Sequence, residues 1–152
     1  MVKSIGRPSS VRTEDEWKWR NLFVSWIHSC LSATWVLMCM LVYPVFLNDL
    51  IHHVNYFTYF CTCFGTGYFM YDFLDLLRNK KMKVFWQVAV HHVAVVSIFF
   101  YNIAIRAQIG FTLIALSVEV NSVFLHWRKL LQMLKTPFDS PKYVVIKHLN
   151  LL

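Results

Sequence analysis

Glycine, proline and cysteine are scarce, four of each in 152 residues, and each shortage excludes a class of architecture. With so little glycine and proline there is no flexible linker, no low-complexity tract and no turn-punctuated repeat, so one integral domain is expected. Cys30, Cys39, Cys61 and Cys63 all lie in apolar runs without CxxC spacing. They read as small buried apolar residues, and neither a disulfide frame nor a metal site is expected. Charge is short as well, 15% of the residues where a soluble domain carries about 25%.

The abundant component is apolar. Hydrophobic residues make up 57% of the chain and aromatic residues 17%, with a mean hydropathy of +0.46. This composition predicts an all-α polytopic membrane protein. Measured against the roughly 20 residues needed to cross a bilayer, weakly charged runs predict spans at about 22–46, 50–71, 84–105 and 107–127. The last contains a single charge, Glu119. A fifth run begins at Tyr143 and stops after ten residues, so the chain is expected to be an incomplete domain.

Fifteen Lys and Arg against eight Asp and Glu give a net charge of +7, and the basic residues alternate between connections. Lys3, Arg7, Arg12, Lys18 and Arg20 precede the first span, whereas the turn around Pro44 to Asp49 has none. Arg78, Lys80, Lys81 and Lys83 follow the second span, Arg106 stands alone after the third, and Arg128, Lys129, Lys135 and Lys142 follow the fourth. The positive-inside rule then puts both ends of the chain in the cytosol. Trp17, Trp19, Trp86 and Trp127 fall at the cytosolic span ends, where an indole sits well among headgroups. The charge is thereby accounted for without a nucleic-acid partner. The first twenty residues lack an apolar h-region, so the first span is expected to serve as the insertion signal.

Ionisable side chains inside a span are costly and normally face protein or a wet cavity. Helical spacing puts Ser25, His28, Ser29 and Ser32 on one face of the first span, and Gly65, Tyr68, Asp72 and Asp75 on one face of the second. Gln87 and His91 share a face of the third, with His92 turned about 100° away. Glu119, Ser122 and His126 share a face of the fourth. Counted from the cytosolic ends, His28, His91 and Glu119 lie roughly 10 to 12 Å deep, and Asp72 and Asp75 cap the same side. A polar half-cavity open to the cytosolic leaflet is expected. The competing interpretation is structural: Ser and Gly stripes often pack helices, and a buried acid can be held by a histidine with no further role. His52, His53, His126 and His148 lie at span ends or in the outer turn and are expected to be interfacial.

The residues narrow the chemistry. The seven histidines never form the HxxxH boxes that a di-iron oxygenase needs, there is no GxSxG nucleophile elbow, and no glycine-rich phosphate loop occurs. Neither metal nor organic cofactor is expected. What remains is a histidine with a carboxylate: His91 or His92 with Asp72, Asp75 or Glu119, able to act as general base on a hydroxyl or amine. The same set can hold a lipid headgroup without chemistry.

Four segments carry a family resemblance: WRNLFVSWIHSCLSATW, GYFMYDFLDLL, WQVAVHHVAVVSIFFYN and LIALSVEVNSVFLHWRKLLQM. From about Trp17 onward the chain resembles the TLC-domain family, which includes ceramide synthases and translocation-associated membrane proteins. It looks closest to the small TLC domain-containing proteins that regulate membrane phospholipid composition. The resemblance implies residues 17–152 as an incomplete TLC domain behind a cytosolic segment 1–16. It implies a plasma-membrane protein, with the endoplasmic reticulum as alternative, that limits incorporation of polyunsaturated, fluidising chains. Its implied partners are phospholipids or fatty acyl chains, acyl-CoA, or a lipid-remodelling enzyme.

His91 and His92 match the adjacent histidines of ceramide synthases. The later pair of acids in those enzymes reads Glu119, Val120, Asn121, Ser122 here, so a hydroxyl replaces the second acid, a departure from the pattern for ceramide synthesis. As an enzyme, the chain would use His91, His92, Glu119 and Asp72. As a lipid binder, it would add His28, Asp75, Asn121 and Ser122. A structural partner subunit of a membrane complex is the third alternative.

Overall fold

The computed structural model describes Gly6 and residues 8–150; Lys3, Arg7 and the end of the fifth apolar run lie outside the described residues. Among the described residues, regular structure is entirely helical. The elements are α1 (Glu16–Val42), α2 (Tyr56–Arg78), α3 (Trp86–Ile105), α4 (Ile109–Leu116), α5 (Glu119–Met133) and α6 (Pro141–Leu149), with 3-10 turns at Thr13–Asp15 and Pro44–Leu47. The expectation of a helical membrane protein holds. Among the described residues, three stretches are long and apolar enough to cross a bilayer: Thr13–Val42, Trp86–Ile105 and Ile109–Met133. Helix α2, the second expected span, is not among them, because Thr, Gly and Asp dilute its hydropathy.

Local chemistry explains where the helices stop. Helix α1 opens with an acid, Glu16, 3.9 Å from Arg20 one turn later. It ends ahead of Pro44, since the residue before proline is driven out of the helical region, and so stops short of the expected residue 46. Asn55 opens α2 with a capping box: its Oδ1 accepts from the Thr58 N–H at 2.9 Å, and Thr58 Oγ1 accepts from the Asn55 N–H at 3.3 Å. The helix therefore starts at residue 56, not 50, and continues through Asp72 and Asp75 to Arg78, past the expected span end at about residue 71. Arg106 and Gln108, both with positive φ (51° and 61°), make the reversal between α3 and α4. The expected fourth span is interrupted at Ser117 and Val118, where Ser117 Oγ donates back to the Ile114 carbonyl at 2.6 Å. Ser140 caps α6, its Oγ accepting from the Tyr143 N–H at 3.4 Å, and Pro141 is the first residue of the helix.

The chain divides into two compact units, Met1–Ala33 with Val118–Leu152, and Thr34–Ser117. In the first, Val11, Trp19, Leu22 and Leu130 form a buried cluster, and Trp26 and Trp127 meet with ring centroids 6.2 Å apart. In the second, α2 packs on α3 and α4 around Val36, Cys39, Phe46, Cys61, Phe69, Phe99, Ile109, Leu113 and Leu116. Non-helical backbone is held there by hydrogen bonds. Gln108 N–H donates to the Ile51 carbonyl at 2.6 Å, and Gly110 N–H to the Leu50 carbonyl at 3.2 Å.

A candidate functional site on helices two and three

Helices α2 and α3 are antiparallel neighbours, and their polar groups meet at matching levels. Asp72 lies six residues before the end of α2, and His92 six residues after the start of α3. Both are buried, 4% and 7% exposed, with His92 Nδ1 3.2 Å from Asp72 Oδ2. The contact is close without being a well-aligned hydrogen bond, and Nδ1 has no hydrogen-bond partner among the described residues. Phe69, one turn before Asp72, lies against the imidazole at 5.3 Å between centroids, and Phe99 meets Phe69 edge-on at 6.2 Å. A histidine with a neighbouring carboxylate in an aromatic wall has the parts of an oriented base. The same parts also make a stable buried contact.

The buried stripe of α2 differs from the expected one. Gly65, Phe69, Asp72 and Leu76 are buried, at spacings of four, three and four, whereas Tyr68 and Asp75 are half-buried. An aromatic in place of Tyr68 completes the inward face, a choice that polar periodicity cannot make because Phe69 is apolar. Asp75 is occupied at the helix end, accepting from Asn79 Nδ2 at 3.0 Å. His91 is exposed, its ring 5.8 Å from that of His92. The adjacent histidines thus face different surroundings, as their angular separation requires.

The other expected residues lie in the first unit. Ser29 Oγ donates to Glu119 Oε2 at 2.5 Å, so the single acid of the fourth expected span is bound by a member of the Ser25, His28, Ser29, Ser32 stripe. All four of those residues are buried, and Ser32 Oγ is 3.2 Å from His28 Nε2. Asn121 is exposed and accepts from Asn150 Nδ2 at 3.1 Å. Ser122 Oγ donates back to the Val118 carbonyl at 3.3 Å. The structure therefore brings Asp72 to His92 and Ser29 to Glu119, in separate units.

Sequence reasoning missed two features. Asn102 Nδ2 donates to Thr112 Oγ1 at 3.0 Å, both side chains buried, joining α3 to α4. The available signal was a lone amide in an apolar run. In the first unit the indole N–H groups of Trp19 and Trp26, with His126 Nδ1 and Arg128 Nε, are buried without a hydrogen-bond partner among the described residues. His126 is therefore not simply interfacial, as its place near a span end implied.

With the site in view, comparison with known proteins decides the family. The TLC domain matches residues 18–151. The chain belongs to the TLC-domain family. Zebrafish (Danio rerio) TLC domain-containing protein 2 is 37% identical over 126 residues, covering 83% of this chain and 51% of the relative. Mouse (Mus musculus) TLC domain-containing protein 1 is 32% identical over 150 residues, 97% of this chain and 60% of the relative. Human (Homo sapiens) TLC domain-containing protein 2 is 38% identical over 130 residues, 86% of this chain and 49% of the relative. The chain thus spans about half the length of these TLC-domain relatives. No solved structure matches it significantly.

Proposed function

We propose that this TLC-domain protein regulates the acyl composition of membrane phospholipids, and through it membrane fluidity, at the plasma membrane. The observation that carries the reading is the buried Asp72–His92 contact, 3.2 Å across two packed helices, beside a histidine that stays exposed. A charge-capable pair inside a membrane unit is costly unless it serves packing or a ligand. On this reading Asp72 and His92 set the helix pair. The exposed His91, with Gln87 one turn before it, meets a phospholipid headgroup, a fatty acyl chain's carboxyl end or a lipid-remodelling enzyme.

The same contact favours a second reading, an acyl-CoA-dependent acyltransferase. His92, oriented by Asp72, would take the proton of a lipid hydroxyl or amine. The freed electron pair would attack the thioester carbonyl, and coenzyme A would leave as its thiolate and recover the proton.

Phospholipid acyl-chain profiling of cells lacking the protein tests both readings. Rescue compares the wild-type chain with the double variant His91→Ala, His92→Ala and with Asp72→Asn, at matched expression. A profile restored by wild type and not by the double variant places the histidines in a functional site. Loss of about 10²- to 10⁴-fold of an acyl-transfer rate would then mark a general base. Equal rescue by both chains eliminates the acyltransferase.

A further inference from the structure

The connection between α2 and α3 concentrates positive charge without compensation. Residues 78–83 contain Arg78, Lys80, Lys81 and Lys83 and no acid. Along the chain the nearest acids are Asp72 and Asp75, already engaged by His92 and by Asn79 Nδ2. Arg78, Lys80 and Lys83 are exposed and make no ion pair among the described residues. The other basic stretches differ. Arg12 pairs with Glu14 at 2.6 Å and with Asp15 at 3.0 Å, and Arg20 lies 3.9 Å from Glu16. Arg128, Lys129, Lys135 and Lys142 are spread along the chain, with Asp139 among them.

These charges sit on an ordered backbone. Lys80 takes the left-handed conformation, φ 56°, and the Lys81 N–H donates to the Leu76 carbonyl at 2.9 Å. The N–H groups of Val84 and Phe85 then both donate to the Lys81 carbonyl at 3.0 Å. A turn already fixed spares a ligand much of the cost of ordering its site. Membrane insertion accounts for basic residues in a cytosolic connection, and a cation at the end of α2 complements the helix dipole. Neither requires four uncompensated cations on one ordered turn. Leu77, Val84 and Trp86, exposed beside them, add apolar surface. Clustered cations next to apolar side chains at the end of a membrane helix match an anionic lipid, whose charge and chains need both.

We propose that the connection between α2 and α3 binds an anionic phospholipid of the cytosolic leaflet. The charged headgroup meets Arg78, Lys80 and Lys83, and the acyl chains run past Leu77, Val84 and Trp86. This binding needs neither His91 nor His92 and stands or falls independently of the role proposed for them.

Competition between phosphatidylserine and phosphatidylcholine with identical acyl chains tests the proposal. Both are offered in equal amounts to the full chain in detergent, where membrane orientation plays no part, and retention is read by native mass spectrometry. The wild-type chain should retain phosphatidylserine about tenfold better, within what three juxtamembrane cations supply. The triple variant Arg78→Gln, Lys80→Gln, Lys83→Gln should retain the two lipids nearly equally. A second triple variant, Lys135→Gln, Lys142→Gln, Lys147→Gln, removes the same charge from exposed positions in the other unit and should keep the preference. So should Arg78→Lys, Lys80→Arg, Lys83→Arg, which preserves the charge of the turn. Equal retention of the two lipids by the wild-type chain, an equal loss of preference in both glutamine variants, or displacement of the retained lipid by inorganic phosphate at the same concentration overturns the proposal.

Discussion

At His91 and His92 one step along a helix turns the side chain by about 100°, and the two imidazoles meet opposite fates. His92 is 7% exposed against Asp72 and Phe69, whereas His91 is on the outer surface. Truncation should therefore separate them. His92→Ala removes one member of a buried polar contact and part of an aromatic cluster, and is expected to cost roughly 1–3 kcal/mol. His91→Ala should stay within about 0.5 kcal/mol of wild type. Unfolding of the detergent-solubilised protein in increasing SDS measures both, and equal losses would contradict the asymmetry. A second contrast concerns Ser29 and Glu119. Ser29→Ala deletes the donor and should cost about 1 kcal/mol, in the range of interhelical hydrogen bonds within membranes. Glu119→Gln keeps an acceptor oxygen at the same place and should cost less, by the same unfolding measurement.

Helix ends show which parts of the fold the sequence makes legible. The cap at Asn55 and the stop before Pro44 follow from residue types with known preferences. Three other ends do not, because the left-handed position that usually takes glycine is filled by a cation. Lys80, Arg106 and Lys135 have φ of 56°, 51° and 56°. In each case the next N–H closes the helix, from Lys81 to the Leu76 carbonyl, Ala107 to Asn102 and Thr136 to Leu131. A cation there complements the negative end of the helix dipole while its backbone is strained, so periodicity and charge located the connections and missed their residue-level form. The inward stripe of α2 was half legible for a related reason. Gly65 and Asp72 announce themselves as unusual in a span, but Phe69 is indistinguishable from its lipid-facing neighbours. Glycine substitutions follow the same local logic. A Cβ at Gly110 would lie 2.7 Å from Leu50 Cα and 3.0 Å from its carbonyl oxygen, and one at Gly67 would meet nothing within 4 Å. Gly110→Ala should destabilise by about 1–3 kcal/mol, and Gly67→Ala, inside a helix, should stabilise by roughly 0.5–1 kcal/mol. Paired unfolding curves decide, and the same sign at both positions would refute the argument.

For the whole molecule the number of membrane crossings turns on α2. Its 23 residues extend about 34 Å, enough for the hydrocarbon core, and its modest hydropathy has a structural cause. Thr58, Thr62, Gly65, Thr66 and Asp72 are turned inward, while Tyr56, Phe60, Met70, Tyr71, Leu74 and Leu77 are exposed. A helix with small and polar residues inside and large apolar residues outside suits lipid surroundings, and a mean over all its residues conceals that arrangement. Charge parity points the same way. With α2 crossing, Arg12, Lys18 and Arg20, then Arg78, Lys80, Lys81 and Lys83, then Arg128, Lys129, Lys135 and Lys142 all fall on the cytosolic side. Without that crossing, the second and third groups face outward, against the positive-inside rule. In a background with Cys30, Cys39, Cys61 and Cys63 replaced by Ala, single cysteines at Asn48 and Lys83 report the topology directly. A membrane-impermeant maleimide added to intact cells should label Asn48→Cys and reach Lys83→Cys only after permeabilisation. Labelling of both positions in intact cells would put α2 outside the bilayer, and with it the Asp72 to His92 contact would lose its place at the cytosolic leaflet.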